Sequence, residues 1–339
     1  MQILVDAMGG DNAPDEIVNG CIDAVNESSG FKLVLLGNKE QIENIAGERK
    51  FDSSRIEIIP TRNEITNDDS PATAIRQKKD SSIVKGFNLL KEKVGDAFIS
   101  AGNTGALMAG ALLILGRIKG VDRPALAPII PTRSGGTMLI DAGLNTSCKP
   151  INYLQFGMIG SIYMKEMFNL EKPKVGLINV GSEQKKGNEI IRQAYAELMN
   201  SNINFIGNIE GKDIPSGKVN VAVCDGFVGN ILLKFLEGYA SFIFDTLKEV
   251  YSKNLFSKLS ALVAKDELKS FRKRLDSDEY GGTPILGVNG IVFKSHGSSK
   301  AKAIKNAVIR AYDFTKTSVL KQIEENFANM EVGELGDSG

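Results

Sequence analysis

The stretch that decides the fold is MQILVDAMGGDNAPDEIVNGCIDAVNE, Met1 to Glu27. Gln2-Ile3-Leu4-Val5-Asp6 is an apolar run ending in an acid, the pattern of a strand buried on both faces. Met8-Gly9-Gly10-Asp11-Asn12 breaks it with small and polar residues, and residues 15–27 then carry apolar side chains at helical spacing. Strand, glycine turn and helix make half of a crossover unit, and the pattern recurs almost to the end of the chain. Expected strands are 2–6, 32–36, 55–59, 97–100, 137–141, 174–179, 204–207, 220–224 and 290–294. Expected helices are 15–27, 39–46, 81–93, 104–117, 152–167, 187–199, 229–251, 255–274 and 299–327. Such alternation predicts an α/β protein, three layers of α/β/α with a mainly parallel sheet. Residues 1–330 read as one α/β domain. Within it, 229–282 is too long for one crossover and reads as a projecting helical hairpin, closed by Asp276 to Gly282. The acidic, glycine-rich 331–339 reads as a frayed tail.

Composition narrows the function. The 339 residues carry 41 Lys+Arg against 41 Asp+Glu, so the chain lacks the basic excess of a general nucleic-acid binder. One histidine, His296, cannot build a multi-histidine zinc site, and no metal site is expected. Cys21, Cys148 and Cys224 are odd in number and widely spaced, which excludes a disulfide framework and fits a reducing compartment. The N-terminus lacks the basic start and long apolar stretch of a signal peptide. The longest nearly uncharged apolar segment, 105–116, is about half of the ~20 residues a spanning helix needs. The expectation is a soluble cytoplasmic protein.

Five strand-to-helix junctions are rich in Gly, Asn, Ser and Thr. They are Asp6-Ala7-Met8-Gly9-Gly10-Asp11-Asn12, Ser100-Ala101-Gly102-Asn103-Thr104-Gly105, Asn179 to Asn188, Asp225-Gly226-Phe227-Val228-Gly229-Asn230, and Ser295-His296-Gly297-Ser298-Ser299. In a parallel sheet these turns share one edge, where helix-start N–H groups attract anions. With Lys185, Lys186 and His296 beside them, they are expected to converge on one cleft for a phosphate or carboxylate ligand. Each small polar residue has an alternative role as a helix cap. Familiar catalytic motifs fail on spacing: five residues separate Gly211 from Gly217-Lys218 and Val219 follows, so there is no Walker loop. Neither GxGxxG nor GxSxG occurs. Cys224, at a strand end, reads as a buried core residue rather than a nucleophile.

At these junctions the sequence resembles the PlsX family, the acyl-carrier-protein:phosphate acyltransferases of bacterial phospholipid synthesis. Besides the turns above, Lys78-Lys79-Asp80-Ser81-Ser82, Gly116-Arg117-Ile118-Lys119-Gly120, Arg123-Pro124-Ala125 and Tyr280-Gly281-Gly282 carry the likeness, which runs from Met1 to about Ile323. Asp141-Ala142-Gly143-Leu144-Asn145 departs from the family's usual Asp-Val-Gly-Ala-Asn, and the larger Leu144 is expected to reshape one cleft wall. The resemblance implies a fold similar to phosphotransacetylase and the isocitrate/isopropylmalate dehydrogenases, in a homodimer. It implies transfer of a long acyl chain from the carrier-protein thioester to inorganic phosphate. The acyl phosphate passes to a membrane glycerol-3-phosphate acyltransferase, and no cofactor is needed. Phosphate is itself the nucleophile, which accounts for the missing Ser or Cys motif. Lys186 and Asn230, on family motif positions, are the expected catalytic pair. Gly9, Gly10, Gly102, Asn103, Thr104, Gly181, Lys185, His296, Gly297 and Ser298 are expected to line the phosphate and thioester pocket. A coenzyme A-dependent phosphotransacetylase-like enzyme and a non-catalytic lipid-synthesis scaffold are the alternatives.

The hairpin has its own pattern. Leu255, Phe256, Leu259, Leu262 and Val263 form an apolar stripe. Between Ser252 and Arg274 seven cations, including Lys258, Lys265, Lys269, Arg272 and Lys273, face two acids. A dimer-packing helix with a solvated basic face would show this pattern. So would a tip that dips into lipid while its cations hold anionic headgroups or the acidic carrier protein, and the family's peripheral membrane attachment favours the latter.

Overall fold

The structure is a computed structural model that describes residues 1–275, 279 and 281–328, with backbone alone for 272–275. The expected tail 331–339 and most of the closure at 276–282 lie outside the described residues, as do the side chains of Arg272 and Lys273. Twelve strands are described: β1 Gln2–Asp6, β2 Lys32–Gly37, β3 Ile56–Pro60, β4 Ala97–Ser100, β5 Ala125–Leu126, β6 Ile129–Thr132, β7 Gly135–Ile140, β8 Val175–Ile178, β9 Phe205–Ile209, β10 Val221–Val223, β11 Thr283–Leu286 and β12 Ile291–Lys294. The α-helices are α1 Asp15–Glu27, α2 Lys39–Gly47, α3 Pro71–Gln77, α4 Ser82–Lys91, α5 Thr104–Gly110, α6 Pro150–Phe168, α7 Glu189–Met199, α8 Gly226–Ser252, α9 Leu255–Val263, α10 Lys265–Leu275, α11 Ala301–Thr315 and α12 Val319–Phe327.

The α/β class is as the sequence implies, but the strands divide between two sheets. The first runs β3-β2-β1-β4-β12-β11-β5 and the second β6-β7-β10-β8-β9. Pairing is parallel except at β11, which opposes both β12 and β5, and at β6, which opposes β7. One run, Ala125-Leu126-Ala127-Pro128-Ile129-Ile130-Pro131-Thr132, supplies an edge strand to each sheet. Its two prolines and two- and four-residue strands hid it from a reading tuned to strand–helix alternation. β11, short, carrying Pro284 and lying between β12 and β5, was missed for its length and its proline. The helical span expected at 299–327 breaks between Thr315 and Val319, 255–274 breaks at Ala264, and the last turn of 104–117 is π-helical at Ala111–Leu115.

Strand alternation sorts the core. Ile3 and Val5 face a cluster with Val18, Ile22, Ala307 and Val308 of α1 and α11, whereas Leu4 faces Val84, Phe87 and Leu107 of α4 and α5. The first cluster continues under α6, where Phe156 and Ile159 meet Met138, Val175 and Val221 of the second sheet. On that sheet's other face Leu139 and Ala222 meet Val228, Leu232 and Leu236 of α8. Both sheets are therefore sandwiched by helices, and their buried strands end at loops instead of side-chain pockets.

Past Gly229 no residue of α8 is buried. α8 is long and apolar enough, by length and composition, to cross a membrane, and only 6% of its most apolar window is buried. It therefore outranks the 105–116 run singled out in the sequence, whose Ala106, Leu107 and Ala111 are core. Phe235 and Tyr239 stack at 5.7 Å along the bare face of α8, and Phe244 meets Phe271 of α10 edge-on at 5.8 Å.

Candidate active site

β1, β4 and β12 lie side by side, and their last residues form one lateral row. Val5 pairs with Ile99, one residue before Asp6 and Ser100, and Ser100 pairs with Lys294. The Ser100 hydroxyl donates to Asp6 Oδ2 at 2.7 Å and accepts from the Gly102 N–H at 3.0 Å. Asp6 Oδ1 accepts from the Met8 N–H at 3.1 Å. Burial pushes the Asp6 carboxyl above its usual range, partly opposed by bonds from Ser82, Ser100, Met8 and Gly9.

Three of the five turns interlock above this row. A methyl group on Gly9 would stand 2.3 Å from Asp6 Oδ2 and 2.7 Å from the Gly102 nitrogen, so only glycine fits there. Gly10, at φ 112°, lets the Asp11 N–H reach the Gly297 carbonyl at 2.8 Å. Asn12 Nδ2 donates to the Ser298 carbonyl at 3.1 Å. Gly9, Gly10, Gly102, Gly297 and Ser298 thus share one edge, as the sequence implies. Asn103 does double structural duty beside them: Oδ1 caps α5 by accepting from the Ala106 N–H at 2.9 Å, and Nδ2 donates to the Thr66 carbonyl at 3.0 Å. Its amide is engaged, while Thr104 next to it is exposed.

The other two turns rise from the second sheet, where β8 and β10 are hydrogen-bonded parallel neighbours. Asp225 caps α8 through Oδ1, which accepts from the Val228 N–H at 2.8 Å, while Oδ2 accepts from the Tyr153 hydroxyl at 3.1 Å. Asn230, in the first turn of α8, is exposed and faces Gly143, where an added methyl would stand 3.5 Å from its Oδ1. Lys185 and Lys186 are exposed beyond β8. Lys186 Nζ lies 4.0 Å from Glu183 Oε1, and its carbonyl accepts from Asn179 Nδ2 at 3.0 Å. Gly181 is buried against Lys186 and Glu183, where a methyl group would press on both side chains. Among the described residues no hydrogen bond or ion pair joins Lys186 to Asn230.

The link between the two sets of turns is a residue the sequence did not mark. Lys234 of α8 places Nζ 3.4 Å from His296 Nε2, and His296 Nδ1 lies 2.8 Å from the Ser298 hydroxyl. Lys234 also pairs with Glu237 at 2.8 Å. A second residue, seen in the sequence only as part of a motif and given no role there, is Asp141, fully buried just after β7. Its carboxylate accepts from the Leu126 N–H (2.9 Å), the Leu144 N–H (3.1 Å), and the Asn145 N–H (2.7 Å) and Nδ2 (2.9 Å). It ties β5 of the first sheet to the loop beside Asn230. Burial nevertheless pushes its carboxyl upward. Leu144 packs against the cluster under α4 and α5, adding to that tie.

All three cysteines are buried. Burial, with the charges of Asp141 and Asp225, pushes the Cys148 thiol up to about 12, and Cys21 and Cys224 also rise. Burial that disfavours the thiolate suits core residues rather than attacking groups. Among the described residues no three His, Cys, Asp or Glu side chains gather as a metal group.

These features define an α/β protein on the phosphotransacetylase-like architecture. The EutD phosphotransacetylase from Staphylococcus aureus superposes with a TM-score of 0.60 at 14% identity, covering 93% of this chain and 94% of that one. A branched-chain phosphotransacylase from Enterococcus faecalis V583 gives 0.57 at 11%, covering 94% and 100%. The chain belongs to the fatty acid synthesis protein family, the PlsX family, whose pattern matches residues 1–322, and it is an acyltransferase. The phosphate acyltransferase of Acetivibrio thermocellus is 58% identical over 335 residues, 99% of each chain. That of Alkaliphilus oremlandii is 51% identical over 337 residues, also 99% of each.

Proposed function

We propose that the protein transfers a long acyl chain from an acyl-carrier-protein thioester to orthophosphate, giving acyl phosphate for phospholipid synthesis. A phosphate oxygen bonds to the thioester carbon, the carbon–sulfur bond breaks, and the carrier thiolate leaves and takes up a proton. The observation that carries this reading is the edge where Lys234, Lys294 and His296 meet three glycine turns, with every cysteine buried. Such an edge holds an anionic nucleophile and supplies none of its own. A free thiol has a pKa of about 8.5, so it departs with little acid help. What remains for the protein is positioning and charge stabilisation, the roles proposed for Lys186 and Asn230. The test is purified protein with palmitoyl carrier protein and labelled phosphate, the product trapped with hydroxylamine. Acyl hydroxamate forming only with phosphate is expected. Turnover with acyl-coenzyme A but not with the carrier protein would overturn the donor, and no turnover with either would leave only the scaffold.

We also propose that the protein works in the cytoplasm, peripherally attached to the membrane where a glycerol-3-phosphate acyltransferase takes its product. Leu255, Phe256, Leu259, Leu262 and Val263 of α9 are all more than half exposed, and Lys258, Lys265 and Lys269 are exposed around them. That arrangement suits insertion among anionic headgroups, and the same cations suit the acidic carrier protein. The bare face of α8 carrying Ile231, Phe235 and Tyr239 is assigned to a second copy of the chain. Replacing Leu255, Leu259 and Leu262 with Asp should abolish co-sedimentation with anionic vesicles and leave turnover in solution intact. Unchanged co-sedimentation would rule out the tip.

A further inference from the structure

We infer that Lys294 binds the orthophosphate nucleophile, a role that rests on the phosphate acyltransferase reading and adds a residue to it. Lys294 ends β12, the third member of the row formed with Asp6 and Ser100 across three adjacent strands. Its strand position fixes its direction. Phe293 packs into the cluster under α11, so Lys294 shares the parity of Val292 and turns to the opposite side of the sheet.

The ammonium is half-buried and poorly satisfied. It has three N–H donors, and among the described residues it makes one hydrogen bond, to the neighbouring Ser295 carbonyl. Among the described residues no carboxylate comes within 4.0 Å of Nζ. A lysine in this position would ordinarily be paired, because an unpaired buried charge is costly. Burial accordingly pushes Lys294 down to about 8, assisted by the charge of Lys234 and opposed by Asp6 and Asp11. The charged groups facing it are therefore one cation and two acids, and neither acid closes on it. A held-open cation at the ends of parallel strands, beside glycine turns, is arranged to receive an anion from outside.

Orthophosphate fits better than the thioester. The group brings up to two negative charges, and two cations flank this point from different elements, Lys294 on β12 and Lys234 on α8. The Ser298 hydroxyl and His296 add hydrogen-bonding capacity at the same rim. A neutral thioester carbonyl needs one donor and gains nothing from a second cation. The Asp6 oxygens are already engaged by the Ser100 hydroxyl and the Met8 N–H, and Asp6 does not close on Lys294 as an ion pair.

The test separates this role from the broader reading. Phosphate binding to the full-length protein is measured by calorimetry with no acyl donor present, for wild type, Lys294→Met and Lys294→Arg. Losing a charge-assisted hydrogen bond is worth about 10–100-fold in affinity, so Met should weaken phosphate binding by about that factor and Arg should restore part of it. In turnover, the phosphate KM should rise likewise in Lys294→Met while the thioester KM stays put. A second measurement needs no variant: phosphate should protect Lys294 of the wild-type protein from an amine-acylating reagent, read by mass spectrometry. Equal phosphate affinity in Lys294→Met, no protection of Lys294, or no phosphate binding by wild type would each overturn the inference. Binding that behaves as expected while no acyl phosphate forms would instead sink the enzymatic reading and leave the phosphate site standing.

Discussion

Asp141→Ala should lower the unfolding free energy by about 4 kcal/mol, the largest stability loss expected from a single substitution outside the apolar core. The reason lies in what the carboxylate satisfies. Three backbone N–H groups, of Leu126, Leu144 and Asn145, and the Asn145 side-chain amide all end on it. Each is buried or half-buried, and a donor left without a partner costs about 1–3 kcal/mol. The donors come from β5 and from the loop after β7, so their loss also removes one tie between the two sheets. Asp141→Asn keeps the shape but turns an NH2 toward donors, and should fall about midway between wild type and Ala. Denaturant unfolding of the three proteins checks this, and coincident midpoints would refute it. Activity should fall along with stability, because Gly143 and the start of α8 position Asn230. A methyl group on Gly229 would stand 1.9 Å from the Asp141 carbonyl oxygen, which shows how closely that start is fitted.

Lys186→Ala and Asn230→Ala should each reduce kcat by about 10²–10³, with folding unchanged. Removing one donor that stabilises a developing oxyanion typically costs that much. Both side chains are exposed and neither contributes to an apolar cluster, so thermal unfolding should match wild type. If the two residues act on one reacting centre, the double variant should lose far less than the product of the single losses. Full multiplication would place them at separate tasks, and wild-type turnover in either single variant would remove it from the machinery. Lys185→Ala is the control: it precedes Lys186 on the same loop, and a loss confined to Lys185→Ala would move the role one residue back.

How much of this was legible follows from the physics of each piece. β1, β4 and α1 were read to the residue, because a strand buried on both faces shows as an unbroken apolar run and a helix with one buried face imposes the helical period. The turn at Gly9 was legible because an added methyl would stand 2.3 Å from Asp6 Oδ2, so only glycine fits, whereas Gly102 and Gly297, with nearest contacts of 3.2 and 3.3 Å, were legible from the small polar residues around them. Lys294 and Lys234 were not. A lysine at the end of a strand, or on one face of a long helix, looks like a solvated charge until the strand order sets it beside Asp6 and His296, residues far away in sequence. Asp141 was visible only within a motif, since nothing in its neighbours says that it will collect four donors. The division into two sheets was hidden by the Pro-containing run at 125–132, too short on either side to show alternation.

The place of β12 has a consequence for how the molecule is made. It sits between β4 and β11 in the first sheet, yet the ribosome delivers it 194 residues after β4 ends. At about 5–20 residues per second, the nascent chain waits about 10–40 s with one edge of β4 unpaired. Through that interval Ile99 and Phe98 have no lateral neighbour on that side, and α1 lacks α11, which later covers it. An open parallel edge of apolar residues is an invitation to pair with another chain, so until β12 arrives the β4 edge is where the nascent chain is most open to mispairing.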